Sequence, residues 1–338
     1  GKDEGRNGHA PHAIDATGSN GAAGPDAGVG DGAGEIHPAP AGRLNRPIRR
    51  AAPEVRNEGN YRISDSDRIG EGPPRQKFRQ NIDAIQTLRK VETESRPATP
   101  DEKAALVHYV GWGAMPQVFD PRNYEWREAR ATLEQLLTPE ELEAARASTL
   151  NAHYPSPTVV RAMYRALEQF GFERGRILEP ACGIGHFIGL MPEAIHSHST
   201  ITGVEIDPLT ARIAKALYPD ADIRAQGFES AKLADGFYDV AISNVPFGDY
   251  PVHDPSLNAY RFPIHDYFFA KTLEKVRPGG LIMFITSRGT MDKLDSTLRE
   301  YLAPKAELLG AIRLPNTAFK QNAGTEVTTD IVMLRKFH

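Results

Sequence analysis

Residues Ile177 to Phe187 read ILEPACGIGHF, and the rest of the chain is easiest to place relative to them. Two apolar residues, Ile177 and Leu178, lead to Glu179, Ala181, Gly183 and Gly185, and an apolar run with Phe187, Ile188 and Leu190 follows. The pattern predicts a buried strand running into a tight glycine turn and then a short helix. Glycine lets backbone approach a ligand closely, and the arrangement suits a nucleotide-like ligand laid over the end of a parallel strand. The spacing is not the GxGxxG of a dinucleotide site, and no GKS or GKT phosphate loop occurs. An ordinary doubly wound protein with a glycine-rich turn is the competing reading of this stretch alone.

The next apolar run, Ile201 to Asp207, reads ITGVEID and ends in two carboxylates, Glu205 and Asp207. It lies about twenty residues beyond the glycine turn, where a carboxylate can accept hydrogen bonds from both hydroxyls of a ribose. Glu205 is the first choice for that task and Asp207 the second, because Asp207-Pro208 also fits the cap of a helix over 208–217. A third element, Asp239 to Gly248, reads DVAISNVPFG.

With these three elements in hand, the chain resembles a class I S-adenosylmethionine-dependent methyltransferase of the amino-methylating kind. The glycine turn precedes the SNVPFG stretch, which resembles the gamma order of adenine-N6 DNA methylases. More closely, the chain looks like the methylase part of the large bacterial and phage methylase–helicase proteins, the strawberry-notch-like group. That likeness runs from about Phe78 to the C-terminus and includes FRQNIDAIQTLRKV, ALVHYVGWGAMPQVFD, LNAHYPSP and HDYFFAKTLEKVRPGGLIMFITSRGTMDK. It implies a three-layer, Rossmann-like α/β fold with a seven-stranded mixed sheet behind an N-terminal helical layer. It implies S-adenosyl-L-methionine as cofactor, DNA as partner, and a site-specific adenine DNA methyltransferase acting on the exocyclic N6 amine. Nothing in the sequence resembles a helicase motor, so that partner region is expected outside this chain. Two alternatives stay open: a cofactor-binding but inactive module that docks DNA for a larger helicase, and methylation of another amine, such as cytosine N4, RNA adenine or protein glutamine.

Composition sets bounds on these readings. The chain has 338 residues, 40% of them hydrophobic, enough to bury a sizeable core. A net charge of −4 is not that of a strongly basic nucleic-acid binder, although a local basic face can coexist with it. One cysteine, Cys182, excludes an internal disulfide and any zinc cluster of several thiolates, and no metal site is expected. Within the glycine turn Cys182 reads as a small packing residue rather than a nucleophile. No apolar run approaches membrane-spanning length, no secretory leader opens the chain, and a cytoplasmic location is expected. Opening on Gly1 rather than Met is what a piece of a longer protein would show.

Residues 1–58, rich in Gly, Ala, Pro and Asp, read as a disordered tail or linker. Residues 59–147 read as a helical extension. Ile82, Ile85, Leu88 and Val91 recur at helical spacing, and Thr99-Pro100-Asp101-Glu102 and Thr138-Pro139-Glu140-Glu141 both look like capped helix starts. This extension is expected to form a helical layer, a candidate DNA-facing lid, with the GWG of Gly111 to Gly113 as a structural corner. From 148 to 338, short buried strands alternate with helices, including helices expected over 265–276 and 291–302.

The resemblance also assigns a site. Tyr154 and Thr158 are carried over as residues closing on the methionine end of the cofactor, and Glu179 as the acceptor for its amino group. Ala181, Gly183 and Gly185 form the turn under it, Ile206 and Phe228 are candidates for the two faces of its adenine, and Glu229 for the adenine amino group. Phe228 fits a core aromatic equally well. For methyl transfer, the Asn244 side chain and the Val245 carbonyl are the expected acceptors around the target amine, and Asn244 is counted among the cofactor-binding residues as well. Such acceptors draw the amine nitrogen toward a tetrahedral geometry and aim its lone pair. Pro246 shapes the loop, and Phe247 offers a face for stacking the base. Val245 stands where the common pattern has a proline, so the loop is expected to lack the rigidity that proline gives φ. Arg261, His265 and Arg288 are the substrate-contact candidates, and the polar stretch between Gly248 and Arg261 is expected to order over a flipped base.

Overall fold

Among the described residues seven strands are interspersed with helices: β1 (Arg176–Glu179), β2 (Thr200–Glu205), β3 (Asp222–Ala225), β4 (Tyr238–Asn244), β5 (Val276–Ser287), β6 (Ala306–Arg313) and β7 (Thr329–Lys336). The structure, a computed structural model, describes residues 59–149, 154–316 and 328–338. The expected tail over 1–58 and the LNAH part of the LNAHYPSP stretch lie outside the described residues. The strands form one sheet in the order β3-β2-β1-β4-β5-β7-β6. Strands β1 to β5 pair in parallel, while β7 runs antiparallel to both β5 and β6. This is the seven-stranded mixed sheet of the class I methyltransferase fold expected above.

The sheet is buried on both faces because its strands carry apolar residues at odd and even positions alike. On β5, Leu281, Met283 and Ile285 enter one core cluster, while Ile282 and Phe284 enter the other. On β7, Ile331 and Met333 face the first and Val332 and Leu334 the second. Side chains alternate sides along a strand, so near-continuous apolar runs demand a helical layer on each face. Each fully buried large side chain, such as Phe284, contributes about 1.5–3 kcal/mol.

Eleven α-helices supply these layers among the described residues. Before the sheet come α1 (Pro74–Thr93), α2 (Pro100–Leu106), α3 (Arg127–Leu136), α4 (Pro139–Ser148) and α5 (Pro157–Gln169). Between the strands lie α6 (His186–Leu190), α7 (Glu193–His196), α8 (Pro208–Leu217), α9 (Ile264–Lys275), α10 (Gly289–Asp292) and α11 (Thr297–Leu302). The two Thr-Pro starts form full capping boxes, Thr99 with Glu102 and Thr138 with Glu141. Charged side chains tie the helical layer to the sheet domain: Arg212 of α8 pairs with Glu92 of α1 and Glu141 of α4. Trp112 is fully buried, with Phe78, Tyr109 and Phe119 packed around it. Asn81 of α1 holds the same corner, donating to Gly111 O (2.6 Å) and accepting from Val110 N (2.9 Å).

The structure departs from the sequence reading in three places. Order begins before Phe78: Tyr61 N–H donates to Leu217 O and Ile63 N–H to Gly189 O, which docks this segment on α8 and α6. The helix expected over 291–302 is two short helices, α10 and α11, separated by residues 293–296. The loop after Gly248 is held in a defined shape by the protein's own bonds. Pro251 bridges Pro263, and Asp254 accepts from Tyr267 Oη (2.9 Å), Lys271 Nζ (2.7 Å) and Ser256 Oγ (2.7 Å). Those bonds explain why α9 is buried nearly all round, with the sheet on one side and this loop on the other. No helix among the described residues is long and apolar enough to cross a membrane.

Candidate active site

The strand order reverses direction between β1 and β4, and a crevice opens beyond the C-terminal ends of strands at such a point. The last residues of β1, β2 and β4 there are Glu179, Glu205 and Asn244. All three line one cavity of about 920 Å³.

The glycine turn forms its floor. Gly183 has a left-handed φ of +55°, and a Cβ on it would come within 2.6 Å of the Tyr154 ring. Its N–H donates to Glu205 Oε2 (2.8 Å), and Asp207 N–H donates to Oε1 (2.8 Å). Gly185, at φ +87°, faces Tyr218 rather than the cavity, so its role is to admit that buried ring. Burial raises the Glu205 carboxyl to about 7 although these backbone donors oppose the shift. Glu179 is 2% exposed, its Oε2 has no hydrogen-bond partner among the described residues, and burial and Glu205 push its carboxyl well above the usual range. Asp207 caps α8, accepting from Leu209 N (3.1 Å) and Thr210 Oγ1 (2.5 Å). That satisfies the capping alternative and leaves Glu205 better placed as a ligand for hydroxyls.

Other expected site residues divide cleanly. Tyr154, Ala181, Gly183, Ile206, Phe228, Glu229 and Pro246 line the cavity. Ile206 is 71% exposed, an apolar surface open to a flat ring, whereas Phe228 is buried and stacks on Phe268 with centroids 5.1 Å apart. Thr158, in the first turn of α5, is exposed and off the lining. Val245 is buried, and its N–H donates to Ile285 O (3.1 Å). The loop is therefore tied to β5 by a bond no proline can make, a tether of a different kind from the φ restraint that proline gives. Phe247 is half-buried against both core clusters and off the cavity lining. Arg261 and Arg288 are exposed outside it, and His265 is buried near the Ser287–Gly289 turn, away from the surface that a phosphate contact requires.

Several lining residues were not anticipated. His186 lies inside the quoted motif yet carried no separate signal. Tyr267 and Phe268 come from α9, whose mixed sequence is buried nearly all round and shows no single apolar face, and residues 250–253 come from the stretch expected to cover a base rather than to line a cofactor cavity. Gly111, Ala144 and Ala147 show that the helical layer forms one wall. The charged lining among the described residues is acidic, with Glu179, Glu205, Asp207 and Glu229 and no Lys or Arg. Cys182 is buried with its thiol pushed well up, so it is held protonated. No cluster of metal-ligating side chains occurs among the described residues.

No family model matches the chain. It is 28% identical over 202 residues to the defense against restriction protein B of Escherichia phage P1, covering 57% of this chain and 9% of that protein. It is 30% identical over 148 residues to the type II methyltransferase M.TthHB8I of Thermus thermophilus, covering 38% of this chain and 33% of the enzyme. The matches thus span under a tenth of the phage protein and a third of the Thermus enzyme. Among solved structures, the methyltransferase subunit of a type I restriction-modification system from Streptococcus thermophilus superimposes with a TM-score of 0.47 at 11% identity. The overlap covers 78% of this chain and 79% of that one.

Proposed function

We propose that this chain binds S-adenosyl-L-methionine in the cavity beyond β1, β2 and β4 and methylates the N6 amine of adenine in DNA. The observation that carries the cofactor assignment is the lining: four carboxyl groups, two of which (Glu179 and Glu205) burial biases toward the neutral form until a cation meets them, and no Lys or Arg among the described residues. Such a cavity repels phosphates and favours a cationic ligand. S-adenosylmethionine has a sulfonium and an ammonium and no phosphate, and it fits a site with a buried Glu179 whose Oε2 has no partner among the described residues and with an open Ile206 face. When bound it supplies an already activated methyl group.

Each residue then has a task. A carboxylate has about four acceptor positions, so Glu205 can hold two ribose hydroxyls while keeping the Gly183 and Asp207 N–H bonds. Glu179 accepts from the ammonium, Tyr154 closes that end, and Ile206 covers one adenine face above the apolar Phe228 floor. Glu229 accepts from the adenine amino group. Asn244 and the Val245 carbonyl orient the target amine and favour its tetrahedral form. The target base must leave its stack to reach them, Phe247 offers the ring beside it, and the exposed Arg261 and Arg288 meet the phosphates. Adenine and DNA rest on the resemblance of the flanking motifs; methyl transfer agrees with the methyltransferase named among the relatives. A helicase region elsewhere in the full protein and a cytoplasmic location belong to the same proposal.

The test is incubation with labelled S-adenosylmethionine and mixed duplex DNA, single-stranded DNA, RNA and protein, followed by mass analysis of nucleosides and peptides. N6-methyladenine from DNA is the expected product. N4-methylcytosine or methylglutamine would overturn the substrate. Absence of product with cofactor demonstrably bound would favour the inactive docking module.

A further inference from the structure

We propose that His186 is a specificity determinant of this cavity, its neutral imidazole donating a hydrogen bond to the carboxylate of the cofactor's amino-acid end. The inference rests on the cofactor assignment above and deepens it. His186 is 3% exposed, lines the cavity, and has a buried Nε2 with no partner among the described residues. Buried polar atoms are nearly always satisfied, so an unsatisfied one bordering a cavity points to a missing partner. Glu179 shows the same feature in the same cavity. The two flank the glycine turn, Glu179 at the end of β1 and His186 at the first residue of α6.

The imidazole is also held in place. Its ring lies 4.7 Å from the Tyr154 ring, which in turn covers Gly183. Burial lowers its pKa to about 4, so it is neutral near pH 7 and keeps one N–H to donate and one nitrogen to accept. A ligand carboxylate entering this acidic cavity meets no Lys or Arg among the described residues and must be met by a neutral donor. Glu179 as acceptor and His186 as donor form a pair complementary to an α-amino acid zwitterion, with ammonium on one and carboxylate on the other.

Titration calorimetry with four probes separates this role from packing. S-adenosylmethionine and S-adenosylhomocysteine carry the whole amino-acid end, decarboxylated S-adenosylmethionine lacks its carboxylate, and 5′-methylthioadenosine lacks the end altogether. His186→Ala should weaken the first two about tenfold, the size of one lost hydrogen bond, and leave the other two nearly unchanged. His186→Gln, which restores a side-chain donor, should recover most of the loss. Equal weakening of all four probes, or no weakening of any, would overturn the assignment. Should His186→Ala not fold, the wild type decides: it should bind S-adenosylmethionine about tenfold more tightly than the decarboxylated analogue, and equal affinities would overturn the role. A folded wild type that binds none of the four would overturn the cofactor assignment itself, and His186 with it.

Discussion

The two ends of the cavity are built on opposite principles. At the glycine-turn end, Glu179 Oε2 and His186 Nε2 are buried without partners among the described residues, and Ile206 exposes an apolar side chain. At the opposite wall, the loop after Gly248 is saturated: both Asp254 oxygens are occupied by Ser256, Tyr267 and Lys271. Unsatisfied buried groups are costly, and these two border the cavity, where a ligand could complete them. The satisfied network marks a scaffold that holds the other wall ready. The ends also titrate in opposite senses. The Asp254 carboxyl is held well below its ordinary range by Lys271, Ser256 and Tyr267 against its burial, whereas Glu205 is raised by burial to about 7.

That contrast breaks first, and with the largest effect, at Asp254. Asp254→Ala leaves Lys271, itself 8% exposed, without its partner, and should cost about 3–5 kcal/mol of stability in denaturant melts. A depressed carboxyl contributes stability above the unfolded pKa and loses it as pH falls through the folded one. The gap between variant and wild type should therefore shrink on acidification. A gap independent of pH would mean the network is not what fixes the wall. Glu205 carries the opposite sign: its contribution is present below the ordinary carboxylate range and lost as pH rises through about 7. An NMR titration should place its midpoint near 7 and show it fall when a cationic ligand binds.

The next effect lies between the two ends. Asn244→Ala should reduce methyl transfer about a hundredfold or more while cofactor affinity stays near that of the wild type. Parallel loss of affinity would move Asn244 to the binding end. Glu205→Ala should instead weaken cofactor binding by about 1.5–3 kcal/mol in calorimetry, and unchanged binding by the folded variant would remove the ribose assignment. The smallest effect is expected at Val245. Val245→Pro removes the N–H bond to Ile285 O and should lower stability by about 1 kcal/mol without raising the rate. A faster variant would show that the valine loop is slack after all.

The sequence alone determined the sheet and the frame of the site. Strand and helix periods are local, and apolar runs such as LIMFIT carry their burial on their face. Cap signals such as Thr99-Pro100 and Thr138-Pro139 act within a single turn, and both formed where expected. The glycine turn and the acidic end of β2 were legible because their backbone and charge requirements lie within a few residues. What a side chain meets across the fold was decided only by tertiary packing. Asp207 and Glu205 look alike in ITGVEID and both border the cavity, yet Asp207 caps α8 while Glu205 holds the glycine turn through Gly183 N–H. Val245 stands where a proline is common, and only the fold shows that its N–H is used by Ile285 O; His265 suited a substrate contact or a packing role, and its burial near the turn after β5 favours packing. His186 was in plain view in the motif, but only the packed cavity shows that its Nε2 has no hydrogen-bond partner among the described residues. Hydrogen-bond satisfaction and desolvation depend on residues distant in sequence, and for that reason the structure, and not the pattern, sorts ligand-binding groups from structural ones.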